Sequence, residues 1–455
     1  MPITRTTERL EPSLVRMGLV LTLGAILAML DTTIVNVGLD TMGRDLHGTL
    51  GQLQWVSTGY LLAVSMVMPL SGWVSERFGA KTMWLTSVAL FVAGSALCGL
   101  AWSPESLIVF RLIQGIGGGM MQPIGQSIVA QAAGPSRIGR VMGVLTIPIT
   151  FAPVLGPVLG GLIAGVDWRW MFYVNVPIGL VTLLLAARIV PAAPPAGPRA
   201  PLDVRGLALL SPGLAAIVYG FAQLASGTGA TLPLAVGGLL VAGYAVHALR
   251  ATAPLIDLRL FARRGFAAAT GSSFLLGASV YSSMLLIPLY YQQIGGASAL
   301  EAGLLLAPQA LGTAMVTFFA SRLSDRIGPR PLILTGIALA MAGTVAFALV
   351  GSHPAAWVLT LSLVVRGAGL GMMMAPGMAA VYASVERHET PRAASALNVL
   401  NRVGGSIGTA VLAMVLQSGV LQSGHATAAA FGTTFWWALG LSALTLAPAA
   451  LYPKK

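Results

Sequence analysis

A chain of 455 residues with 56% hydrophobic and only 9% charged side chains falls far below the charge content of soluble domains, about 25%, which excludes a water-soluble globule. The formal net charge of +12 comes from 26 Lys and Arg against 14 Asp and Glu, but the bases lie in short segments between apolar runs, not in a patch interleaved with aromatics; it marks loop topology rather than nucleic-acid binding. Cys98 is the single cysteine, so an intrachain disulfide and a thiolate metal cluster are excluded, and it reads as a packing residue.

Apolar runs long enough to cross a bilayer fall at roughly 17 to 38, 53 to 74, 82 to 101, 105 to 129, 140 to 165, 171 to 190, 204 to 223, 231 to 249, 266 to 290, 299 to 321, 331 to 350, 355 to 381, 393 to 419 and 431 to 451. They predict fourteen transmembrane helices in an all-α integral membrane protein. The first run follows Arg5, Arg9 and Arg16 and is far longer than a signal-peptide core, so it is read as a retained span. With the N-terminus in the cytoplasm, the cytoplasmic loops hold Arg77, Lys81, Arg137, Arg140, Arg188, Arg199, Arg205, Arg250, Arg259, Arg263, Arg264, Arg322, Arg326, Arg330, Arg387 and Arg392. The opposite loops hold Arg44 and Arg169. This asymmetry, with Lys454 and Lys455 at the end of the chain, predicts both termini inside.

The first helix carries Leu30-Asp31-Thr32-Thr33-Ile34-Val35-Asn36-Val37. At about 1.5 Å rise per residue, Asp31 lies about 22 Å into a layer about 30 Å thick. A charge there costs on the order of 3 kcal/mol, so an intramembrane acid is a functional candidate whose partner should be sought. Arg111, six residues into the fourth run from Glu105, has a matching depth of about 9 Å from the far face. A carboxylate that alternately pairs with Arg111 and is left dry is the minimum machinery for proton exchange, whereas a static pair would only fix helix register. Thr32, Thr33 and Asn36 have an equally good structural reading as groups that bond backbone or neighbouring helices.

After the second run, Gly72-Trp-Val-Ser-Glu-Arg-Phe-Gly-Ala-Lys81 recurs as Ser321-Arg-Leu-Ser-Asp-Arg-Ile-Gly-Pro-Arg330. More loosely, Arg111 with Gly115, Gly117, Met120, Met121 and Pro123 is echoed by Arg366 with Gly369, Gly371, Met373, Met374 and Pro376. Two repeated six-helix halves of a rocking secondary transporter follow from this pattern. They are expected at 1–192 and 263–455, joined by a 193–262 linker holding two extra spans. These inserted spans contain no deep acid or Arg and read as peripheral, with His247 near the cytoplasmic end of the second. The repeated loops place Gly72, Glu76, Arg77, Gly79 and Lys81, and Asp325, Arg326 and Arg330, where they could latch one conformation. Ala152, Gly156 and Gly160, spaced by four with Pro153 and Pro157 between and Gly161 following, make a flat, kinked face for close helix contact. Arg366 and Arg402 lie within apolar spans and have no obvious acidic partner.

With these motifs the chain resembles the drug:proton antiporters of the major facilitator superfamily, in their fourteen-helix branch. Asp31 to Val37 is similar to that branch's first-helix motif, Gly72 to Lys81 to its loop motif with Glu76 in place of Asp, and Arg111 to Gly115 to its fourth-helix motif. Gly156-Pro157-Val158-Leu159-Gly160-Gly161 resembles the fifth-helix antiporter motif, with Ala152 replacing its first Gly. Trp168 to Pro177, Ile287 to Gly295 and Arg402 to Gly408 add to the likeness, and Asp40 stands where the branch commonly has Pro.

The resemblance implies a major facilitator fold in a bacterial inner membrane. It also implies proton-coupled export of lipophilic drug-like compounds by alternating access, with Asp31 and Arg111 as the coupling pair. Thr33, Asn36, Tyr60, Gln114, Phe151, Tyr281, Gln309, Arg366 and Asn398 are candidates for the cavity wall. No cofactor is expected beyond the proton as coupling ion, and a metal site is not expected. A periplasmic adaptor protein is a possible partner alongside the lipid bilayer. Proton-linked lipid or metabolite transport and sensing without flux are the alternatives. An enzyme is not expected, since none of the five histidines lies near Asp31 and no phosphate-cradling loop follows a strand.

Overall fold

In a computed structural model, the described residues are 11–134, 137–164, 167–192, 201–225, 229–349, 355–423 and 427–452, and their regular secondary structure is entirely helical. Thirteen helices are long and apolar enough to span a membrane, and a bent pair supplies one more. In chain order the spans are α1 (Pro12–Asp45), α2 (Leu50–Val67 and Leu70–Phe78), α3 (Ala80–Gly99), α4 (Pro104–Ala133), α5 (Ile138–Ala164), α6 (Trp170–Tyr173 and Asn175–Ile189) and α7 (Val204–Ala225). The chain continues through α8 (Thr231–Arg250), α9 (Arg264–Gln293), α10 (Ala299–Leu305 and Ala307–Ile327), α11 (Pro329–Leu349), α12 (Ala356–Ala383), α13 (Thr390–Ser423) and α14 (Ala428–Leu444 and Leu446–Ala450).

Local chemistry sets many of these boundaries. Thr49 with Gln52, Ser103 with Ser106 and Ser298 with Glu301 form reciprocal capping boxes that start α2, α4 and α10. Gly79 and Gly328 occupy the same place in the repeated loop motif and both take a left-handed φ, 88° and 82°, which lets α2 turn directly into α3 and α10 into α11. A bend of 56° at Met68 and Pro69 divides α2, which the hydropathy profile had shown as one straight run.

The repeat extends to helix pairing. In the first half α1 packs on α5, α2 on α4 and α3 on α4; in the second, α9 packs on α13, α10 on α12 and α11 on α12. The halves meet where α5 contacts α10 and α12, and where α13 contacts α4 and the second segment of α2. The inserted pair corrects one expectation. α8 is largely exposed, but α7 packs against both α2 and α13 and so lies across the seam between the halves instead of standing apart. Trp55 of α2 stacks on Tyr219 of α7 with ring centroids 5.5 Å apart.

Candidate functional site

Asp31 and Arg111, on α1 and α4, meet in the first half. Both are essentially sealed from solvent, at 0% and 1% side-chain exposure, with Arg111 Nη1 2.6 Å from Asp31 Oδ2. The second carboxylate oxygen accepts from Gln114 Nε2 at 2.8 Å and from Asn175 Nδ2 at 3.0 Å. Arg111 also donates from Nη1 to Gln114 Oε1 at 2.8 Å and from Nε to the Val56 carbonyl of α2 at 3.2 Å, and its guanidinium lies 4.2 Å from the Tyr60 ring centre. The network continues from Asn175 Nδ2 to Ser95 Oγ of α3, which donates to the Phe172 carbonyl. Five helices thus contribute to one buried charge pair. The carboxylate has three donors, the arrangement that lets a charged pair survive in a dry interior. Asn175 Oδ1 remains buried with no hydrogen-bond partner.

This geometry revises several assignments. Gln114 is fully buried and bonded to both members of the pair, and Tyr60 is 2% exposed beneath Arg111; they support the pair and do not form a cavity wall. Asn175 and Ser95 are members that sequence reasoning missed, although Asn175 lies inside the Trp168-to-Pro177 stretch already singled out. Thr33 Oγ1 donates to the Met29 and Leu30 carbonyls, whereas Asn36 is exposed and accepts from Ser57. Phe151 is half-buried in α5.

The small-residue face of α5 lies on α1. Ala152 is fully buried, a side chain at Gly156 would overlap Thr33 Oγ1, and one at Gly160 would meet Val37 Cβ at 3.1 Å. The side chains of Pro153, Pro157 and Gly161, and of Asp40 and Asp325, fall outside the described residues. Gly156→Val is therefore expected to force α1 and α5 apart and lower stability by about 1–3 kcal/mol. Thermal unfolding in detergent checks this; Gly156→Ala, whose Cβ would overlap Thr33 Cβ, should already melt below wild type.

The repeat partner Arg366 is built differently. It is 2% exposed and donates to Gln309 Oε1 at 2.7 Å, to Thr344 Oγ1 at 3.2 Å, to Ser283 Oγ and to the Ser279 carbonyl at 3.4 Å. Every acceptor is neutral. Arg366 and Gln309 are therefore bonded to each other, with Arg366 buried away from lipid. Half-buried Arg402 of α13 lies 5.7 Å from the ring centre of half-buried Tyr281 of α9.

Polar ties between the halves gather at the end of the bundle where α1 begins and α14 finishes. Glu76 accepts from Arg392 Nε at 3.0 Å and Nη2 at 2.9 Å, and Gly72 packs on the backbone of Pro391 and Arg392. Ser395 Oγ donates to the Met68 carbonyl at 2.8 Å, Asn398 Nδ2 to Gln126 Oε1 at 2.7 Å and Arg387 Nη2 to the Gln131 carbonyl at 3.2 Å. The partner of Glu76 across the seam is thus Arg392, which the loop reading had treated as a topological charge. Lys81 instead donates to the Ala187 carbonyl within its own half. Arg77 and Arg330 are half-buried and Arg326 is exposed at the same end. Asn398, as expected of a cavity-wall residue, lines a cavity of about 100 Å³ together with Gln126, Met373, Met374, Asn401, Tyr452 and others. At the opposite end Asp45 accepts from Trp168 Nε1 at 2.9 Å and Arg169 Nη1 at 2.8 Å, and these bonds, the indole's first, hold its carboxyl below the usual carboxylate range.

The family model described as the Major Facilitator Superfamily matches residues 21–409 and 269–454. The Multidrug resistance protein B homolog of Mycobacterium tuberculosis is 39% identical over 418 residues, 90% of this chain and 77% of that protein. The Multidrug export protein EmrB of Haemophilus influenzae is 30% identical over 407 residues, 88% and 80% of the two chains. Among solved structures, the proton:xylose symporter XylE shares the fold with a TM-score of 0.68 and 17% identity, over 95% of this chain and 94% of that one. Paired six-helix halves around buried intramembrane charges, together with these matches, establish that the chain belongs to the Major Facilitator Superfamily and is a multi-pass membrane transporter, not an enzyme.

Proposed function

We propose that the chain is a proton-coupled antiporter of the bacterial inner membrane that exports lipophilic drug-like compounds, with both termini in the cytoplasm. The observation that carries this reading is the fully buried Asp31 carboxylate on Arg111, because a functional role is the default reading of an intramembrane acid. In the proposed cycle, a proton reaching Asp31 neutralises it and weakens its hold on Arg111. The guanidinium is left with Gln114, the Val56 carbonyl and the Tyr60 face, and the positions of α1, α2 and α4 relative to one another change. Loss of that proton on the other side restores the pair.

The Glu76–Arg392 pair, with the ties from Ser395 and Asn398, would hold the cytoplasmic end closed during the outward-facing part of the cycle. Export fits the names of the relatives and the α5 motif on α1. The proton is the coupling ion in this reading and no cofactor is needed; lipid surrounds the bundle. A periplasmic adaptor is compatible with it but not required.

The test is reconstitution in liposomes containing a pH-sensitive dye, with an imposed proton gradient. Lipophilic compounds should discharge the gradient with wild type and fail to do so with Asp31→Asn, while binding persists. Binding by amphiphiles with no discharge in wild type would remove the antiport reading.

A further inference from the structure

The sequence positions of the acids define the charge balance inside the second half. From residue 263 onward they are Glu301, Asp325, Glu386 and Glu389. Glu301 caps the first turn of α10, Asp325 lies two residues before the end of that helix, and Glu386 and Glu389 lie between α12 and the first turn of α13. The interior of the second half therefore has two arginines, Arg366 and Arg402, and no carboxylate. In the first half, the Asp31 charge is matched by Arg111 and its oxygens are occupied by three donors.

The two unmatched cations differ in availability. Arg366 is buried and engages four neutral oxygens. It is a fixed source of positive potential. Arg402 is half-buried and stands over Tyr281. Its platform is close-packed: side chains at Gly404 and Gly408 would strike the α9 backbone at Phe274 and Ala278, and a Cβ at Gly405 would lie 2.5 Å from Tyr281 Cδ2. The glycines let α13 settle on α9 and fix Tyr281 beside Arg402.

A low-dielectric interior with unmatched positive charge attracts anions and repels cations. A lipophilic cation would have to take Asp31 from Arg111, leaving a third arginine inside the bundle without a countercharge.

We infer that the exported compounds are lipophilic organic anions, such as aromatic carboxylates or phenolates, whose charge is received by Arg402 while their ring lies against Tyr281. This rests on the efflux reading for direction, but not for binding. The guanidinium supplies a planar pair of donors that matches a carboxylate, and the neighbouring ring supplies the apolar face.

The experiment compares pyrenebutyrate, its neutral amide and pyrenebutyltrimethylammonium by equilibrium dialysis against purified protein in detergent, with empty micelles as control. The carboxylate should bind about tenfold more tightly than either analogue. Arg402→Gln should bring the carboxylate-to-amide ratio to about one, and Arg402→Lys should retain part of it. Equal or tighter binding of the ammonium compound, a carboxylate preference that survives Arg402→Gln, or binding of none of the three to protein with a normal melting curve overturns the inference. The same compounds tested in the pH-dye liposomes separate the two claims. Arg402-dependent carboxylate binding without proton flux removes antiport and leaves the anion site standing. Gradient-driven export of the ammonium compound keeps antiport and removes the anion site.

Discussion

Arg111→Ala is expected to abolish substrate-driven proton flux and to lower stability more than any other single truncation in the bundle. Removing one partner of a buried ion pair typically costs about 3–5 kcal/mol, because the remaining charge stays in a dry site. Here the residue removed also bonds Gln114 and the Val56 carbonyl and covers Tyr60, so α1, α2 and α4 lose a shared contact. Asp31→Asn, Arg111→Gln should recover much of the thermal stability, since both charges leave together, while flux remains absent. Melting temperatures of the two single variants and the double variant form the appropriate cycle. Additive losses would show that the pair is not an energetic unit.

Charge reversal of the cross-half tie is expected to have the next largest effect. Exposed ion pairs are worth little, but Glu76 and Arg392 are 21% and 19% exposed and meet through two parallel N–H bonds, a geometry worth about 1.5–3 kcal/mol. Glu76→Arg should therefore open that end of the bundle. A cysteine placed at Met374 in the cavity wall, in a Cys98→Ser background, should react with a membrane-impermeant maleimide about tenfold faster. Adding Arg392→Glu to Glu76→Arg should return the rate toward that of the unreversed protein. A rate that does not respond to Glu76→Arg would show that this contact does not hold the end closed.

The span pattern was legible because membrane helices announce themselves by length and apolarity, and the repeated loop motif exposed two halves with matching helix pairing. Depth was legible too: the rise per residue put Asp31 and Arg111 at one level, and they touch. Rotation about the helix axis was not. Gln114 has the depth of a cavity residue but points into the pair, and Asn175 belongs to the same network from a helix whose azimuth no periodicity fixed. Arg392 looked like one loop base among many, because the bend in α2 and the close approach allowed by Gly72 are what bring Glu76 to it. Arg366 looked partnerless because an acid was sought; its acceptors are an amide, hydroxyls and a carbonyl on three other helices.

The position of α7 constrains how such a molecule can move. With one flank on α2 and the other on α13, it is a splint laid over the joint, and rocking of the halves must drag at least one of those helices along it. The Trp55–Tyr219 stack grips the α2 side, so sliding is expected on α13. Alternation would then carry a friction term that a twelve-helix carrier lacks, and the inserted helices would set its tempo without touching the cargo.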